Sequence, residues 1–96
     1  MSPIKRKKLN KIRSELDGLD NSLIKLIKKR TNLVNQVLKL KEKKKEIIDN
    51  KRIRIILKNI RKKSIANKID PKITYRIWKN MIWSYIDYEK RNFKKK

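Results

Sequence analysis

The stretch LNKIRSELDGLDNSLIKLIKKRTNLVNQVLKLK, residues 9–41, decides the fold. Most of its apolar side chains fall in one series, at Leu9, Ile12, Leu16, Leu19, Leu23, Leu26, Ile27, Leu33, Val34, Val37, Leu38 and Leu40. Steps of three and four dominate, which is the period of an amphipathic helix. Gly18 lies inside the pattern and costs a helix only about 1 kcal/mol relative to Ala, too little to stop it. The spacing predicts a helix from about Ile4 to Lys44. Some 38 residues at 1.5 Å each span roughly 57 Å. A compact domain of this size has a radius of gyration of only about 12–13 Å. The shorter helices that follow cannot cover such a rod along its whole apolar stripe, so the remainder calls for a second chain. A homodimer is the simplest solution.

Working outward, a lysine-rich stretch from Lys41 to Glu46 leads to Asp49, a residue type that caps helix N-termini. The helix predicted after it carries Ile53, Ile56, Leu57 and Ile60 and fades near Ser64 to Lys68. Asp70-Pro71 is a second start signal, with Asp as the cap and Pro at the first helical position. The third helix carries Ile73, Ile77, Trp78, Met81, Ile82, Tyr85 and Ile86 and runs out into the charged tail Lys94 to Lys96. No repeat and no strand pattern is present. The expected fold class is all-α, one long helix and two shorter ones.

Composition narrows the chemistry. With 96 residues the chain makes one small domain, which association would help to stabilise. Without cysteine there are no disulfides and no thiolate zinc sites. Histidine is also missing, which removes Ser-His-Asp and Cys-His catalysis and the commonest general base. No metal and no cofactor is expected. The 31 Lys and Arg against 9 Asp and Glu give a formal charge of +22. Such a surface attracts anions, and nucleic-acid binding is the first thought. Lys, Asn and Ile also rise together in AT-rich coding sequence, which explains the charge as well. The basic residues are spread along the whole chain with no aromatic interleaving and no nucleic-acid motif, so a nucleic-acid partner is the weakest of the readings. Residues 1–8 are basic with no apolar segment behind them, and no apolar run reaches the length of a membrane span. A soluble cytoplasmic protein is expected.

Several charges sit where apolar residues should be. Arg30 has Leu23, Leu26, Ile27, Leu33, Val34, Val37 and Leu38 as its helical neighbours. An arginine in the middle of an apolar stripe needs an anionic partner or water. Asp17 or Asp20 could be that partner, and so could a bound anionic ligand. Lys41 lies eleven residues on, about three turns, within about 20° of the direction of Arg30. Two cations on one face, about 16 Å apart along the axis, suit a small anion held between their side chains. Seen alone, Lys41 simply begins a lysine run. Glu89 follows Trp78, Met81, Ile82 and Tyr85 on the apolar face of the third helix. It is either a frayed carboxylate or a group turned toward the same site. Arg52, seen alone, is a surface arginine.

These residues together resemble the AroQ-type (type II) chorismate mutases. The segment quoted above resembles that family's first helix, through the Arg of KIR, the ELDGLD segment, the Arg of KKR and a Lys eleven residues later. IIDNKRIRIIL, residues 47–57, resembles the start of its second helix, and IDPKITYRIWKNMIWSYIDYEKR, residues 69–91, its third. The resemblance implies an intertwined homodimeric helical bundle. It places the domain at 9–91, with a basic extension at 1–8 and a basic tail at 92–96. It implies conversion of chorismate to prephenate in phenylalanine and tyrosine biosynthesis. By the same resemblance Arg13 reaches into the partner's site and holds a substrate carboxylate, while Arg30 holds the other. Lys41 donates to the ether oxygen and a carboxylate. Asp49 and Arg52 line the pocket near the ring hydroxyl and the side-chain carboxylate. Glu89 stands beside the ether oxygen, where it donates only when protonated.

The chemistry suits such a set. The rearrangement passes through a cyclic transition state with no nucleophile, metal or proton shuttle. Holding the compact conformer and stabilising charge on the breaking C–O bond are what accelerate it, and arginine matches carboxylates bidentately. Two positions depart from the family pattern. Ile53 stands where a Glu is usual, and Tyr85 where a small Ser is frequent. Both are similar to the isochorismate-pyruvate lyases of the same fold, which form salicylate, as is the spacing from Lys41 to Arg52. Asp49 and Glu89 favour the mutase.

Overall fold

The structure is a computed structural model and describes residues 1–94. Lys95 and Lys96, the end of the expected basic tail, lie outside the described residues. Three helices account for most of the chain: α1, Pro3–Leu40, α2, Asn50–Ala66, and α3, Pro71–Asn92. A short 3₁₀ turn, Lys44–Ile47, separates the first two. Among the described residues there is no strand. The all-α class with one long and two shorter helices is what the periodicity predicts, and α1 has 38 residues.

Helix α1 ends at Leu40, four residues before the boundary that the pattern suggests. The Lys41 amide bonds back to the Leu38 carbonyl at 3.1 Å, tightening the last turn. The Glu46 side chain then accepts from the Lys43 amide at 3.0 Å. That captured amide starts the 3₁₀ turn, so the lysine run is bent rather than helical. Both predicted caps form. Asp49 Oδ1 accepts from the Arg52 amide at 3.0 Å and Asp70 Oδ1 from the Lys72 amide at 2.9 Å. Each satisfies one of the orphan donors that a helix start leaves, and Pro71 has no amide to orphan.

The end of α2 has no glycine. Lys68 takes the left-handed conformation, φ 57. The Ile69 amide bonds to Ser64 O at 2.9 Å and the Lys68 amide to Ile65 O at 3.1 Å. This pair of bonds is the Schellman stop, reached at a steric cost of about 1–2 kcal/mol for a residue with a Cβ.

The chain divides into two compact units, Met1–Leu33 and the part from Val34 onward. The first is a single helix whose apolar stripe is uncovered: Ile12, Leu16, Leu19, Leu23, Leu26, Ile27 and Leu33 are all exposed. The second has a core. Leu38, from the last turn of α1, meets Ile47 of the 3₁₀ turn and Ile82 and Ile86 of α3, with Ile53, Ile56, Leu57 and Phe93 packed around them. Ser64, buried, donates to Ile60 O and lies 2.6 Å from Thr74 Oγ1, joining α2 to α3.

Candidate active site

Within the second unit, two of the singled-out residues meet. Lys41 is the first residue after α1. Its Nζ donates to Glu89 Oε2 at 2.7 Å. The side chains are 16% and 10% exposed, so water screens the pair little. Glu89 continues the stripe of Ile82 and Ile86 one turn further along α3, which is why a residue so close to the chain's end is buried. Glu89 is therefore not a frayed surface carboxylate, and Lys41 is not a solvated member of its run.

A second bond sets the register of the same two segments. Tyr88 Oη donates to Asn35 Oδ1 at 2.8 Å. Tyr85, half-buried, meets the Tyr88 ring edge-on with centroids 6.5 Å apart. Ile53 is half-buried against the core and offers no hydrogen bond. Asp49 is occupied as the cap of α2, and the Arg52 side chain is exposed.

In the first unit Arg30 is half-buried, and its Nε is shielded from solvent without a hydrogen-bond partner. An unmatched buried donor costs about 1–3 kcal/mol. Among the described residues Arg30 forms no ion pair with Asp17 or Asp20. Arg13 is exposed on the same helix. Seventeen residues separate the two arginines, about 25 Å along the axis, so one helix cannot bring both to a single small molecule.

Residues 12–90 match the sequence profile described as Chorismate mutase type II. The chain belongs to this family. No curated protein and no solved structure matches the chain. Family membership fits the all-helical fold and implies chorismate as the substrate class. No helix among the described residues is long and apolar enough to cross a membrane.

Among the residues of this chorismate mutase family chain, sequence reasoning missed Asn35, Tyr88 and the Ser64–Thr74 pair. Tyr88 to Asn35 spans 53 positions. No local pattern signals a bond of that kind. Ser64 gave a misleading signal, because it looks like part of a fading helix end and is in fact 3% exposed.

Proposed function

We propose that the chain catalyses the rearrangement of chorismate to prephenate as an intertwined homodimer, with residues 9–91 as the catalytic domain. The observation that carries this reading is the shielded Lys41–Glu89 pair. It presents an ammonium, backed by a carboxylate, that suits a donor to the ether oxygen.

In the reaction one C–O bond breaks and one C–C bond forms within the same molecule. Electrons move around a six-membered ring, and nothing is added or lost. Arg30 holds one carboxylate of the substrate, its shielded Nε gaining an acceptor. Arg13 of the partner subunit holds the other, which the distance along the rod supports. The Lys41 ammonium turns toward the ether oxygen as negative charge grows there. Glu89 orients that ammonium through its carboxylate. Asp49 and Arg52 line the mouth near the ring hydroxyl. The uncovered apolar stripe of residues 12–33 supports association, since an exposed apolar face of this kind marks an interface.

A second reading is an isochorismate-pyruvate lyase. It is favoured by Ile53, which packs on the core instead of offering oxygen to the ring hydroxyl, and by Tyr85. Salicylate fluorescence on mixing with isochorismate tests it.

Mixing two inactive variants tests the mutase reading. Arg13→Ala and Arg30→Ala should each lower turnover by about 100-fold or more, the cost of removing one such donor. Unfolded together and refolded at equal amounts, they should recover about one quarter of wild-type activity. Half the dimers are then mixed, and each carries one intact site. No recovery would exclude a shared site, and full activity of either single variant would exclude its role.

A further inference from the structure

The basic residues look scattered in the sequence, but the fold gathers some of them. On α2, Lys51, Arg54, Lys58, Arg61 and Lys62 fall within an arc of about 100° at 100° per residue. All five are exposed. Ile53, Ile56, Leu57 and Ile60 lie on the other side and are at least half-buried. From Lys51 to Lys62 the stripe runs about 16 Å along the helix axis.

Nothing neutralises this stripe. No acidic residue occurs between Asn50 and Ile69. Most nearby carboxylates are committed elsewhere. Glu46 binds the Lys43 amide, Asp49 and Asp70 cap helices, Asp87 pairs with Arg91 at 2.9 Å and Glu89 with Lys41. Among the described residues none of the five basic side chains is in an ion pair. Like charge disfavours a second copy of the chain as the occupant. A lipid surface needs a contiguous apolar face to insert. The apolar side of α2 is already spent on the core, and the exposed Ile55 and Ile65 stand about 15 Å apart along the helix. What remains is a rod about 10–12 Å wide with regularly spaced cations, matched to a groove about 12 Å wide that is walled by phosphates.

We propose that the outward face of α2 is a sequence-independent docking surface for the phosphodiester backbone of double-helical nucleic acid. This goes beyond the proposed enzymatic activity and does not depend on it. The stripe contacts phosphates.

The test measures anisotropy of a fluorescent 20-base-pair DNA duplex titrated with the full chain at several salt concentrations. Five phosphate contacts predict an affinity that falls by about 500-fold between 50 and 200 mM salt. The variant K51Q/R54Q/K58Q/R61Q/K62Q should lose most of this dependence, its log–log slope becoming shallower by about 4. The control K5Q/R6Q/K7Q/K8Q/K11Q, with the same number of charges removed, should keep the slope. Equal loss in both variants would reduce the binding to bulk charge and overturn the proposal, as would no binding at 50 mM salt. Vesicles of phosphatidylserine and phosphatidylcholine are the third arm. If the α2 variant loses vesicle binding but not duplex binding, the surface is for lipid and the proposal fails. Lysine acetylation of the wild-type chain covers the case of a variant that does not fold. The duplex should protect Lys51, Lys58 and Lys62, and protection of Lys5, Lys7 and Lys8 alone would overturn the assignment.

Discussion

From Ile12 to Leu33 the large aliphatic side chains are 46% to 66% exposed, whereas Leu38, Ile47, Ile82 and Ile86 of the second unit are at 9% or below. The two regions have similar apolar content and the same helical spacing. They differ in what surrounds them. The second unit folds back through the 3₁₀ turn and the Asp70-Pro71 start, so its helices cover one face of each other, while Ile65, Ile73 and Ile77 stay exposed. The first is one helix with nothing in its own length to fold against. Periodicity tells which face must be covered. It does not tell which chain covers it.

The sharpest way to break this comparison is a charge on the rod's stripe. Leu23→Glu should abolish the proposed dimer in sedimentation and turnover with it, because a carboxylate buried at an interface without a partner is strongly disfavoured. An active monomer would show that the rod needs no second chain. The matching change in the second unit, Ile86→Ala, should lower stability in urea by about 2–4 kcal/mol through the cavity it leaves. A cost near that of a surface change would mean that the small core is not what holds the unit together.

The Lys41–Glu89 pair comes next. Glu89→Ala should cost about 2 kcal/mol by leaving a shielded ammonium unmatched, a value reduced from that of a fully buried pair because some solvent reaches it. Glu89→Gln keeps an acceptor for Lys41 and should cost less. Glu89→Ala should also lower turnover, because the Lys41 ammonium loses the group that orients it, and Glu89→Gln should retain more. Turnover equal to wild type in both variants would remove Glu89 from the chemistry.

The smallest effects test the backbone. Lys68→Gly should raise stability by about 0.5–1 kcal/mol, since glycine takes the left-handed conformation at no steric cost. Gly18→Ala should raise it by a similar amount, about 0.8 kcal/mol. Beyond its chain neighbours and its own helix backbone, no atom lies within 4 Å of the added Cβ. A loss at Gly18 in thermal melts would point to a partner packed close against that side of the rod.

How much was legible followed from distance along the chain. Asp49 and Asp70 act on amides two or three residues away, so their roles could be read directly. The long helix could be read because its pattern repeats many times. Its end could not, since it depends on Glu46 capturing the Lys43 amide and not on the propensity of the lysines themselves. Lys41 and Glu89 could be singled out, each as a charge on an apolar face. Their contact spans 48 positions and becomes visible only once α3 packs on the last turn of α1. Arg30 was visible as an oddity in the stripe, while the shielding of its Nε was not.

The two arginines about 25 Å apart on one rod carry a consequence for how the protein is used. If each reaction centre takes one of them from each chain, a lone chain has no complete centre however well it folds. Rate per chain then depends on how much protein is present. Dilution below the dissociation constant of the pair silences every copy by mass action, and a single crippled chain in excess poisons intact ones by pairing with them.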